Sequence, residues 1–159
     1  MENIVSQALA WGLVLLFALV FGGQTFDAFV MVPIWSHDPP NSVDQWRSTP
    51  VARAVPRYFS RLLPALLATS IVALPAALFL SLPGRGWLLL AAGCGLVHMA
   101  LVMRFFVPTN RALGLLPSQP RPTTPSPDKA GLVRAWLRWN YVRIAVDLAG
   151  LVAAVHAAA

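Results

Sequence analysis

Four stretches of this chain are long and apolar enough to cross a lipid bilayer, and that constrains every other reading of it. A membrane-crossing helix needs roughly 20 mostly apolar residues, with its backbone polar groups paired internally. The stretches run from about Ala8 to Ile34, Phe59 to Leu82, Trp87 to Val107 and Leu132 to Ala158. Composition agrees: 57% of the 159 residues are hydrophobic and 11% charged, against about a quarter charged in soluble domains. One cysteine, Cys94, excludes an internal disulfide framework and any multi-cysteine metal site. The expected fold is all-α: an integral membrane four-helix bundle, a single domain over residues 1–159, with long cytoplasmic first and third links.

The first stretch is expected to persist as a helix. Met1-Glu2-Asn3 lacks the basic residues of a secretory signal, and the apolar run is too long for one. In the first link, Asp38-Pro39-Pro40 signals a turn, and the capping-box spacing of Ser42 and Gln45 predicts a short interfacial helix. Pro50, Pro56 and Pro64 are expected to bend the chain as it enters the second span. Leu82-Pro83-Gly84 reads as a tight turn, and the third span is expected to end at Pro108. Residues 117–127 hold five prolines and read as a linker, after which Ser126-Pro127-Asp128 is expected to open the fourth helix.

Basic residues orient the bundle. Arg47, Arg53, Arg57 and Arg61 mark the first link, and Arg104, Arg111, Arg121, Lys129, Arg134 and Arg138 the third. The second link holds only Arg85. The positive-inside rule then puts both long links in the cytoplasm and both termini outside. It also accounts for the net charge of +6 without nucleic acid.

A charge at the bilayer centre costs roughly 2.5–3.5 kcal/mol on insertion scales, so each one inside a span is a functional candidate by default. The candidates are Asp27, His98, Arg143 and Asp147. Counting about 1.5 Å per residue puts His98 and Asp147 at one depth, near mid-membrane. Arg143 lies one turn nearer the cytoplasm, level with Met103, and within reach of Asp27. Trp136, Asn140, Arg143 and Asp147 share one stripe of the fourth helix, and Gln24, Asp27 and Met31 share a shorter stripe of the first. Turning both stripes inward predicts a polar pocket in the cytoplasmic half. Ala145, Ala149, Ala153 and Ala157 form a second stripe suited to close helix packing. The competing bland readings are an Arg143–Asp147 pair neutralising itself along one helix and a hydrogen-bonded structural His98. Trp11 and Trp87 read as interfacial belt residues. Trp35, Trp136 and Trp139 flank the expected pocket mouth.

Three segments together resemble a known family. They are Phe21-Gly22-Gly23-Gln24-Thr25-Phe26-Asp27 leading to Pro33, Val107-Pro108-Thr109-Asn110-Arg111-Ala112-Leu113, and Trp136-Leu137-Arg138-Trp139-Asn140-Tyr141-Val142-Arg143. The chain resembles the anthrone-oxygenase-like family of small four-helix membrane proteins, long catalogued as a domain of unknown function. Members with an assigned reaction are fungal proteins that oxidise an anthrone to an anthraquinone with molecular oxygen, without an established cofactor. Many bacterial relatives have no assigned activity, and a shared fold does not transfer function. The resemblance implies an oxygenase acting on a hydrophobic aromatic substrate that enters from lipid, in a bacterial inner membrane. Such chemistry needs a base, donors for an enolate oxygen and superoxide, and a flat apolar slot. His98 oriented by Asp147 is the expected base, and Arg143 and Asn140 the anion holders. Trp136, Trp139, Phe105 and Phe106 are the expected slot, with Gln24, Asp27, Trp35, Met103 and Asn110 around the substrate. No cofactor and no metal is expected. The alternatives are a redox protein whose haem is held by His98 with Met99 or Met103, a quinone-binding protein, and a non-enzymatic carrier or accessory subunit. The expected partners are a hydrophobic small molecule and the bilayer, with self-association left open.

Overall fold

The computed structural model describes residues 2–80, 84–115 and 128–159. Its described residues are almost entirely helical: α1 (Glu2–Phe26), a π-helical turn (Asp27–Met31), α2 (Val32–Ser36), α3 (Asn41–Ser48), α4 (Pro50–Phe79), α5 (Arg85–Leu101), a second π-helical turn (Val102–Phe106), α6 (Val107–Ala112) and α7 (Lys129–Ala158). End to end these make four helices long and apolar enough to cross a membrane: Ile4–Ser36, Pro50–Phe79, Arg85–Ala112 and Lys129–Ala158.

The spans pack side by side in the ring order α1, α7, α5, α4. Three contacts make α5 and its continuation antiparallel to α7. Gly84 abuts the Ala157 backbone, His98 meets Asp147, and Asn110 meets Trp136. α1 runs antiparallel to α4, with Gly12 against Thr69 and Gly23 against Tyr58. The apolar core holds Leu13, Phe17, Val20, Leu66, Leu88 and a set of alanines. A second cluster at the other end gathers Trp35, Val43, Trp46, Phe106, Leu113 and Trp136.

Close approach of α1 and α7 depends on a glycine. A Cβ on Gly150 would overlap the Phe17 ring, which is fully buried. Overpacking of this kind costs about 1–3 kcal/mol. Gly150→Ala is therefore expected to lower the thermal unfolding midpoint in detergent, and an unchanged midpoint would contradict this packing.

The links depart from expectation in four places. Pro50 is the first residue of α4, capped by Thr49, whose hydroxyl accepts the Ala52 N–H at 3.2 Å. The helix that carries the second span therefore starts at Pro50, ahead of the apolar run from Phe59, and stays one helix through Pro56, Pro64 and Pro75. Ser42 makes no capping box. Its hydroxyl donates to the Trp35 carbonyl at 2.7 Å and ties α3 back to α2. The third span continues through Pro108 to Ala112. Asp128 itself caps α7, accepting the Gly131 N–H at 2.6 Å. Ser126, Pro127, the 117–127 linker and Leu82-Pro83 lie outside the described residues.

Both π turns have one local cause. A proline lacks an N–H, and its ring presses on the carbonyl four residues back. Pro33 and Pro108 each stand two residues after a π turn, in Val32-Pro33 and Val107-Pro108. The valine N–H reaches back five residues in each case, to Asp27 and to Val102. The widened turn makes room for the proline and shifts the register of the helix beyond it. Such turns recur at functional sites, and here both border one cavity.

Candidate functional site

The α7 stripe turns inward as its spacing predicts. Trp136, Asn140, Arg143 and Asp147 are all buried, and Asp147 completely so. The small-residue contact continues this same stripe through Gly150, Ala153, Ala154 and Ala157, whereas Ala145 and Ala149 of the expected alanine stripe lie off it. A helix repeat of 3.6 residues carries the packed face away from a strict i, i+4 series.

His98 and Asp147 meet as their depths suggested. The Nδ1 of His98 lies 2.6 Å from Oδ1 of Asp147, and both side chains are fully buried. With Asp147 as a carboxylate, the oxygen accepts and Nδ1–H is the donor. Nε2 of His98 and Oδ2 of Asp147 find no partner among the described residues. Arg143 does not pair with Asp147 along the helix. Its Nη2 donates to Oδ1 of Asn140 at 2.7 Å, and its guanidinium carbon lies 4.0 Å above the centre of the Phe106 ring.

Toward the end of the bundle that carries α3, next to this pair, is a cavity of about 330 Å³, within the usual range for small-molecule sites. Its wall contains Trp35, Trp46, Phe59, Phe106 and Trp136, with Asp27, Asn110 and Arg143 among its polar groups. The aromatic wall is mutually braced. Trp35 and Phe106 both meet Trp136 edge-on, at 5.1 and 5.5 Å between ring centres. The Trp136 indole N–H donates to Oδ1 of Asn110 at 2.8 Å, clipping α6 to α7. Trp136→Phe keeps an aromatic ring and loses that donor. The expected cost is about 1 kcal/mol, read as a lower unfolding midpoint; no change would mean the clip contributes nothing.

Other predicted residues fall elsewhere. His98 and Asp147 do not border this cavity, and His98 has no exposed surface. Met103 is 63% exposed on the outer surface, because the second π turn directs Val102 and Phe106 inward instead. Trp139 is also outside the cavity, its ring 5.3 Å from that of Phe105. Gln24 is fully buried, with neither amide atom partnered among the described residues. Of the two methionines considered as haem ligands with His98, Met103 points outward while His98 is enclosed in the core, so those two do not face one another.

Trp46 is a cavity residue that sequence reasoning misses. It lies on α3 with Ser42 and Val43 on the buried face. That i, i+1, i+4 pattern is present in the sequence, but an interfacial link gives no reason to turn it toward the bundle. Asp27 and Arg143 share the cavity wall without forming an ion pair. Among the described residues the ion pairs are Arg47–Asp44, Lys129–Asp44 and His98–Asp147.

Comparison with curated proteins and with solved structures gives no match. The family model described as anthrone oxygenase matches residues 53–153, which takes in most of α4, all of α5, both elements around Pro108 and most of α7. With four apolar helices and that match over more than half its length, the chain belongs to the anthrone oxygenase family as a membrane protein.

Proposed function

We propose that this protein oxidises a flat, hydrophobic aromatic substrate, an anthrone or a hydroquinone of similar shape, with molecular oxygen. The observation that carries the reading is the cavity itself: aromatic rings on its wall, with one carboxylate and one guanidinium beside them. One anthrone and one O2 give one anthraquinone and one water. A base takes a proton from the ring methylene, and the resulting anion passes an electron to O2. Radical and superoxide combine to a peroxide, which loses water to leave the new carbonyl. The substrate anion supplies the electrons.

Asp27 is the base in this scheme, as the carboxylate on the cavity wall. Arg143 and the Asn110 amide hold the enolate oxygen and the superoxide charge. His98 acts from behind. By engaging Asp147 it keeps that carboxylate off Arg143, whose guanidinium stays available to the cavity. It is a positioning residue here, in place of the base expected from depth alone. The positive-inside orientation puts this cavity toward the cytoplasm.

The test is oxygen uptake by the purified protein in vesicles supplied with anthrone. Uptake of one O2 per anthrone, above empty vesicles and with anthraquinone formed, is expected. If a panel of anthrones and hydroquinones gave no catalysed uptake and a stoichiometric protein partner co-purified, the accessory-subunit reading would replace this one.

A further inference from the structure

We propose that the aromatic substrate enters sideways from the bilayer, through a cleft between α1 and α4 that ends at Asp27. The inference rests on the oxygenase reading only for the identity of what passes. A second cavity, of about 350 Å³, lies between the C-terminal end of α1 with its π turn and the first turns of α4. It shares Asp27, Val55 and Phe59 with the aromatic-walled cavity, so the two lie side by side against these residues. Its outer walls are Phe26 and Met31 on one side and Val51, Ala54 and Tyr58 on the other.

Phe26 is 54% exposed, Val51 40% and Tyr58 42%. All three lie on helices long and apolar enough to cross a membrane, and an exposed apolar edge of this kind suits contact with lipid. Arg53 and Arg57 are exposed on the same turns of α4. They set the depth of the cleft at the boundary between headgroups and acyl chains, where amphipathic aromatic rings concentrate. A fused-ring ketone or phenol has that character. An acyl chain matches the outer wall, but it has no use for a passage that closes on a carboxylate.

Tyr58 is an anchored part of the outer wall of the cleft. Its hydroxyl donates to the Leu19 carbonyl at 2.8 Å. Its ring rests on Gly23, where an added Cβ would come within 2.6 Å of Cε1. The π turn beginning at Asp27 widens α1 on the opposite side. The passage is thus held open by backbone geometry and by one anchored ring, with hydrocarbon along its length.

Thiol labelling tests this without any turnover, so its failure is separable from failure of the oxygenase reading. The full chain carries Cys94→Ser and Val55→Cys and sits in phosphatidylcholine vesicles. It is treated with N-(1-pyrenyl)maleimide, which partitions into lipid, or with the charged reagent 2-(trimethylammonium)ethyl methanethiosulfonate. The lipid-borne reagent is expected to label position 55, and Ala54→Trp to slow it at least tenfold without slowing the charged one. Val51→Trp is a second plug, carrying the test if Ala54→Trp loses its helical circular dichroism. Val152→Trp, on an exposed face of α7, is expected to leave both rates unchanged. Unaltered pyrene labelling in both plugged variants would overturn the proposal. So would labelling by the charged reagent alone, which would mark entry from water.

Discussion

Asp27→Asn is expected to lower anthrone turnover by about 10²–10⁴-fold, the usual contribution of a positioned general base. The substitution keeps the shape of the side chain and removes its capacity to take a proton. Asp27 takes part in none of the described ion pairs and is 9% exposed on the cavity wall, so the substitution breaks no ion pair. The unfolding midpoint should therefore change little while turnover collapses. Turnover within a few-fold of the unsubstituted protein would remove Asp27 from the chemistry. Loss of folding together with turnover would make it a structural residue.

His98→Ala is expected to act mainly on stability. Removing His98 breaks the fully buried pair from one side, at a cost of about 3–5 kcal/mol that the Asp147 carboxylate recovers only in part by turning to Arg143. Replacing both members by apolar groups of similar volume is often close to neutral. The double variant His98→Leu with Asp147→Val should therefore recover most of the unfolding midpoint lost in His98→Ala. The two readings of His98 separate on turnover. If His98 only holds Asp147 away from Arg143, the double variant has no carboxylate to capture the guanidinium and regains activity along with stability. A stable but inactive double variant would return His98 to the role of base.

The spans are legible in the sequence because bilayer thickness imposes a length and an apolarity that few other constraints imitate. The buried stripe of α7 is legible for a related reason: three polar residues and a tryptophan at helical spacing inside an apolar segment are favoured to turn inward. The depth count also brings His98 to Asp147, since rise per residue is nearly constant in an unbroken helix. It gives the level of Met103 but not its facing, and the π turn that contains Met103 buries Val102 and Phe106 instead. Val-Pro after each π turn is the available signal, but in a sequence it reads equally as the end of a span. The cavity wall is the least visible part. Trp46 reaches it from a link, and its position depends on how α3 folds back through the Ser42–Trp35 hydrogen bond, a contact no periodicity encodes. The separation of His98 from the cavity is likewise a matter of packing, since depth fixes the level of a side chain but not what stands in front of it.

The most direct test is turnover of anthrone under ¹⁸O2 by the protein in vesicles, beside empty vesicles and Asp27→Asn. The expected product is anthraquinone carrying one ¹⁸O, formed faster than in empty vesicles, with that excess lost in Asp27→Asn. Anthraquinone appearing no faster than in empty vesicles, or at an undiminished rate in Asp27→Asn, would contradict catalysis in this cavity with Asp27 as the base.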